Sequence, residues 1–212
     1  MAYFGEERSA VLDSAVRKLI DPVLNKIAHK LVKYGVQANT LTIAGFVFSV
    51  LGFIAVAYQQ YGLTILFIVL SRAMDGLDGP LARQTAATDF GGYLDIVFDF
   101  IFYSGTVFFF AVGQPAFALS AAFLIFSFMG TGSSFLAYAI MAAKHGINHD
   151  KQGKKSFFYL QGITEGTETI LILVLMCLFP SYFNFIAYAF GGLCWLTTIG
   201  RIRQAAKDFN DA

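Results

Sequence analysis

Four aspartates, Asp75, Asp78, Asp95 and Asp99, carry the most chemistry in this chain. Asp75 and Asp78 are three residues apart and Asp95 and Asp99 are four apart, so on helices each pair shares one face. Carboxylates gathered in one pocket repel each other unless cations lie between them. Hard oxygen donors suit Mg²⁺, Mn²⁺ or Ca²⁺ rather than zinc, and no Cys/His set with zinc spacing competes for the role. The expectation is a divalent metal site; the bland rival is a buried ion-pair network with Arg72 and Arg83. Gly76, Gly79, Gly91 and Gly92 remove side chains where helices and a ligand would approach closely. Pro80 frees the carbonyl of Gly76, which would face a ligand or a metal-bound water.

These residues need elements to hold them. The chain is 57% apolar and only 14% charged, which places it in a bilayer rather than in water. Apolar runs at residues 41–58, 62–81, 90–112, 116–143, 156–178 and 182–198 predict six spans of about 20 residues each. The fold class is thus an all-α integral membrane protein. Ahead of the spans, residues 1–34 are expected to form an N-terminal interfacial amphipathic segment, and residues 35–212 a six-helix transmembrane domain that carries the aspartates and any catalytic function. Within that segment Val11, Leu12, Ala15, Leu19, Val23, Leu24, Ile27 and Leu31 fall near one stripe, with Arg17, Lys18, Lys26 and Lys30 largely off it. Pro22 interrupts it, so one rod and two angled pieces are equally compatible with the pattern.

Charge gives the topology. The connections 59–61, 113–115 and 180–181 are uncharged, whereas the opposite ends carry Lys30, Lys33, Arg83, Lys144, Lys151, Lys154, Lys155, Arg201, Arg203 and Lys207. By the positive-inside rule both termini and all charged ends face the cytoplasm. A net charge of +1 argues against a nucleic-acid partner. The start, with Glu6, Glu7 and Arg8 before any apolar run, is not expected to be a cleaved signal. Cys177 and Cys194 lie in apolar runs and read as core thiols.

A charge at bilayer depth costs about 3 kcal/mol on insertion scales, so each one needs a partner, water or metal. Arg72, three residues before Asp75, is either its neutralising partner or a substrate contact. Asp89 is placed to cap the first turn of the third span. Glu165 and Glu168 share a face about ten residues into the fifth span. They either line a ligand pocket or form a hydrogen-bonded pair satisfied by Thr164, Thr167 and Thr169. Lys154 and Lys155 anchor the fifth span in the positive-inside sense, or bind a substrate phosphate. His145 and His149 read as surface residues.

Taken together, Asp75-x-x-Asp78-Gly79-x-x-Ala82-Arg83 and then Gly91-x-x-x-Asp95-x-x-x-Asp99 match a signature at every defined position. The pattern resembles the CDP-alcohol phosphotransferase family, which is also similar in having an N-terminal interfacial helix and six spans with the motif on the second and third. Asn39-Thr40-Leu41-Thr42, opening the first span, looks like the family too. The resemblance implies that Asp75, Asp78 and Asp95 hold two divalent ions, Mg²⁺ or Mn²⁺, with Ca²⁺ binding but less active. Asp99 would complete the metal site and serve as the base. Asp75, Gly79, Ala82 and Arg83 would bind the CDP donor. On the functional one of their two readings, which comes from the residues and not from the resemblance, Glu165, Glu168, Lys154 and Lys155 would line the acceptor pocket.

The implied reaction moves a substituted phosphate from a CDP-linked donor to an alcohol acceptor, with CMP leaving, in phospholipid biosynthesis. CDP-diacylglycerol is the favoured donor, because small size, short loops and uncharged outer turns look like the bacterial phosphatidyltransferases; CDP-choline or CDP-ethanolamine with a lipid alcohol is the alternative. The resemblance further implies membrane lipid as a partner, a homodimer, and the bacterial inner membrane with a cytoplasmic active site. A divalent-cation channel or carrier is the reading from another class, but a conduction path needs polar groups through the full depth, and the outer halves of these spans carry no charge.

Overall fold

The computed structural model describes residues 11–145 and 164–210. Among these residues every regular element is helical. Seven α-helices follow in order: α1 Val11–Lys33, α2 Ala38–Ala57, α3 Tyr61–Gln84, α4 Asp89–Gly113, α5 Ala118–Lys144, α6 Gly166–Leu178 and α7 Phe183–Asn210. Pro115 and Pro180 open short 3₁₀ turns ahead of α5 and α7, where a missing N–H costs nothing. Pro22 lies inside α1 without dividing it.

Four segments are long and apolar enough to cross a membrane: Ala38–Ala57, Asp89–Gly113, Pro115–Lys144 and Pro180–Phe209. The six expected spans differ from these four at two places. Helix α3 has 24 residues, ample length at about 1.5 Å per residue, but its second half carries Arg72, Asp75, Asp78 and Arg83. Helix α6 has only 13 residues, and the earlier part of the expected fifth span, with Lys151, Lys154, Lys155 and His149, lies outside the described residues. His145 follows α5 and stacks its ring on Phe209.

The bundle is held by two apolar clusters. The larger contains Phe102, Val107, Phe110, Leu124, Leu173, Met176 and Phe183, all fully buried, and joins α4, α5, α6 and α7. Cys177 and Cys194 sit in it as free thiols, as expected of core cysteines. The smaller cluster centres on Ala28, Leu41, Leu77 and Leu81, with Leu24, Leu31 and Val32 packed on it, and seats α1 against α3. Of the expected α1 stripe, Leu24 and Leu31 pack inward while Val23 and Ile27 stay exposed.

The uncharged turn between α2 and α3 reverses through Gln59, whose φ of 57° is left-handed. Its side chain donates to the Gly113 carbonyl at 2.9 Å. Gly113 is required there, since a Cβ would stand 2.7 Å from the Ala57 carbonyl oxygen. Midway along α2, Ser49 and Ser71 share a 2.8 Å hydrogen bond, and a Cβ on Gly45 would meet the Ser71 carbonyl at 3.2 Å. Small residues therefore let α2 lie close along α3, the helix that carries Asp75 and Asp78.

Candidate active site

Helix α3 presents Asp75 and Asp78 one turn apart, and α4 presents Asp95 and Asp99 with the same logic. The break between the two helices leaves four residues, Thr85 to Thr88, so the acidic faces meet at one end of the bundle. One carboxylate oxygen each from Asp75, Asp78 and Asp95 lies within 4.8 Å of the others. Three hard oxygens at that separation fit a divalent cation of the Mg²⁺, Mn²⁺ or Ca²⁺ type. Asp78 is the most enclosed of the three, at 9% exposure. It accepts a 2.6 Å hydrogen bond from Thr42 on α2.

Asp99 stands beside this group and has different company. Its Oδ1 pairs with Arg72 Nη1 at 2.5 Å, and its Oδ2 accepts a long 3.4 Å bond from the Tyr103 hydroxyl. The same Arg72 nitrogen lies 3.4 Å from Asp75. Arg72 is fixed from two further sides, by a bond to the Ser71 hydroxyl at 3.2 Å and by the Phe102 ring 4.2 Å beneath its guanidinium carbon. Of the two roles read for Arg72 in the sequence, the structure shows the neutralising one, shared between two carboxylates.

Next to the three-oxygen group opens a cleft of about 210 Å³. Asp78, Asp95, Gly79, Ala82, Arg83, Gly91 and Gly92 line it, with Asn39 and Thr42 from the start of α2. Arg83 is exposed and reaches over Gly79, coming within 3.5 Å of where a Cβ would be. Gly91 is the tight position: a Cβ there would stand 2.7 Å from Asn39 Oδ1 and 3.1 Å from Thr88 Oγ1. Gly76 is looser, since its Cβ would make ordinary 3.5 Å contact with Leu24. An arginine, an amide and two hydroxyls in a cleft against carboxylates can recognise a polar ligand, and a bound cation would supply the remaining charge.

Two sequence expectations are changed by the geometry. The cap of α4 is Thr88, whose hydroxyl accepts from Gly91 N at 3.0 Å, and Asp89 is the first helical residue behind it. Glu165 and Glu168 do not sit in the middle of a helix: Glu165 is the N-cap of α6, and the two form a reciprocal capping box. Glu168 Oε2 accepts from Glu165 N at 3.2 Å, and Thr169 donates to the Glu165 carbonyl at 2.7 Å. That cap adjoins the site, because a Cβ on Gly166 would come within 3.2 Å of the Tyr103 hydroxyl. Lys154 and Lys155 lie outside the described residues.

Tyr103, Phe102, Asn39 and Thr42 join the site without a role expected from the sequence. Tyr103 follows Asp99 by one turn, which was a usable signal; the Asn39 to Thr42 string carried only a faint one.

Among the described residues, helices throughout, four of them in segments long and apolar enough to cross a membrane, and three carboxylates that could hold a cation beside a polar cleft define a polytopic membrane protein with an enzyme-like site. The family model for CDP-alcohol phosphatidyltransferases matches residues 36–200, and the chain belongs to that family. It is a transferase of the CDP-alcohol phosphotransferase type, related to enzymes of phospholipid synthesis. It is 47% identical to the inner membrane protein YnjF of Escherichia coli strain K12, over 91% of this chain and 94% of that protein. It is 28% identical to the archaetidylinositol phosphate synthase of Pyrococcus horikoshii, over 92% of this chain and 96% of that enzyme. A phosphatidylcholine synthase of Mesorhizobium japonicum is 29% identical over 57% of this chain and 42% of its own length.

Proposed function

We propose that the protein is a metal-dependent phosphatidyltransferase that uses CDP-diacylglycerol and a polar alcohol, releasing CMP. The observation that carries this reading is the convergence of Asp75, Asp78 and Asp95 oxygens within 4.8 Å at the wall of a cleft that also holds Gly79, Ala82 and Arg83. Two divalent ions, Mg²⁺ or Mn²⁺, held by these aspartates would neutralise the donor diphosphate and the charge growing on the CMP leaving group. Arg83 binds the diphosphate from the cleft side, and the small residues Gly79 and Ala82 leave room for the nucleotide. Asp99 borders the ligand set and takes the proton of the attacking hydroxyl. The acceptor oxygen forms a bond to the phosphorus that carries the lipid, and the bond from that phosphorus to CMP breaks.

The acceptor enters on the side of Asp99 away from the nucleotide cleft, where Tyr103 and the Glu165–Glu168 cap of α6 stand. Lys154 and Lys155 belong to this acceptor side in the same proposal. In the same reading the chain has six spans, with α1 lying in the interface and both termini and the active site cytoplasmic. The bacterial inner membrane is the proposed location, supported by the relative named for that membrane. Membrane lipid surrounds the protein, and its working form is a homodimer.

The test is CMP release by the purified protein in detergent with Mg²⁺ or Mn²⁺. One arm supplies CDP-diacylglycerol with a set of polar alcohols, and the other supplies CDP-choline and CDP-ethanolamine with diacylglycerol. Metal-dependent CMP in the first arm alone supports the reading. Release only in the second arm replaces the donor, and release without added or bound metal refutes the metal role.

A further inference from the structure

Arg72 is held from four sides beside the aspartates, by Asp75, Asp99, Ser71 and Phe102. One nitrogen, Nη1, sits between Asp99 Oδ1 at 2.5 Å and Asp75 Oδ2 at 3.4 Å. The guanidinium is clamped by the Phe102 ring and by Ser71, which is itself tied to Ser49 on α2. The side chain is 14% exposed, and its buried Nε has no hydrogen-bond partner. An arginine serving only as a structural counter-ion would be expected to use all of its donors on the charges around it. Here one N–H is left unmatched so that a single nitrogen can be placed between two carboxylates from different helices.

The placement divides the four carboxylates unequally. Asp75, Asp78 and Asp95 converge on one another, while Asp99 is turned to Arg72 and lies outside that group. Asp75 belongs to both sets, as a member of the converging oxygens and as the second partner of Arg72. A cation at the converging oxygens and the guanidinium therefore draw on the same carboxylate.

The geometry points to Arg72 as a positioning residue that holds Asp99 in the role of base, outside the metal ligand set, and weakens metal binding by competing for Asp75. The inference rests on the metal-dependent reading above. A fixed positive charge beside the ligands repels an incoming divalent ion, so the site binds its metal less tightly than three carboxylates alone would. In exchange, the Asp99 carboxylate keeps one orientation for the acceptor hydroxyl, because the guanidinium that holds it is itself fixed by the Phe102 ring and the Ser71 hydroxyl, as a lysine ammonium would not be.

The experiment compares the full-length protein with Arg72→Gln and Arg72→Lys in detergent. Two quantities are read: the Mn²⁺ concentration giving half-maximal thermal stabilisation, without substrates, and kcat for CMP release at saturating Mn²⁺. In Arg72→Gln the half-maximal Mn²⁺ should fall about tenfold as the competing charge is lost. Its kcat should fall about a hundredfold as Asp99 loses its orientation. Arg72→Lys keeps the charge, so its Mn²⁺ midpoint should stay within about threefold of the parent, with kcat still reduced about tenfold. A merely structural arginine would lower stability without moving the Mn²⁺ midpoint downward. An unchanged or raised midpoint in Arg72→Gln, or full kcat in Arg72→Lys, overturns the inference; if the Gln variant does not fold, the kcat of the Lys variant decides. Absence of any Mn²⁺ stabilisation in the unsubstituted protein is the separate result that removes the metal reading itself.

Discussion

Thr42 donates its hydroxyl to Asp78 Oδ2 across 2.6 Å, tying the first turns of α2 to the acidic end of α3. Both residues are buried, so the bond has little competition from water. Thr42→Val keeps the shape and removes the donor. A hydrogen bond to a charged group contributes about 1.5–3 kcal/mol, so the variant should lose roughly tenfold or more in CMP release, while Thr42→Ser stays close to the parent. Equal rates for Val and Ser would show that Asp78 does not depend on this bond.

Asp99→Asn removes the proposed base and keeps the volume. Transfer should fall by about 10²–10⁴-fold, the range for a positioned general base. Binding of the CDP donor, followed by calorimetry, should persist, because the cleft lined by Gly79, Ala82 and Arg83 does not include Asp99. Near-parental CMP release would move the base role to Glu165 or Glu168.

Asp78→Ala takes one oxygen from the converging three. A metal that binds only the folded state adds stability with the logarithm of its saturation, so the Mg²⁺ or Mn²⁺ shift in thermal midpoint should vanish. Retention of the parental metal shift is incompatible with Asp78 as a ligand.

Gly91→Ala would place a Cβ 2.7 Å from Asn39 Oδ1, forcing Asn39 out of the cleft wall. The expected result is a KM for the CDP donor raised about tenfold. Gly192→Ala, in α7 with nothing within 4 Å of the added methyl, is the control and should leave KM unchanged. Similar kinetics for the two variants would remove Asn39 from the donor cleft.

Glu168 separates capping from acceptor chemistry. Glu168→Gln can still accept from Glu165 N and preserves the capping box, whereas Glu168→Ala breaks it at a cost of about 1 kcal/mol. Thermal midpoints should therefore fall for Ala and not for Gln. If CMP release drops in the Gln variant at unchanged stability, the carboxylate charge acts on the acceptor; parental turnover there confines Glu168 to the cap.

Much of this protein was legible along the chain. Three- and four-residue spacings of Asp75, Asp78, Asp95 and Asp99 determine shared helix faces, because helical periodicity is a local property. Apolar runs determine the helices, since a bilayer accepts little else. The family follows from eight positions between Asp75 and Asp99, and the match over residues 36–200 agrees. The helix starts were less legible. Asp89 and Thr88 are adjacent capping residues, and only the backbone decides which one lies outside the first turn. Glu165 looked membrane-central because hydropathy continues through the segment, yet the backbone is extended at Glu165, and the helix begins only at Gly166.

Only the tertiary structure decided how the charges divide. Arg72 is three residues from Asp75 in sequence and 27 from Asp99, and the shorter contact is the distant one. Which carboxylate a long guanidinium side chain reaches depends on how closely α3 and α4 pack and on the Phe102 ring beneath it. Thr42 reaches Asp78 for the same kind of reason, through small residues such as Gly45 that let α2 approach α3. Spacing along a helix fixes which side chains share a face, but the partner across the gap is set by interhelical distance, which no single helix encodes.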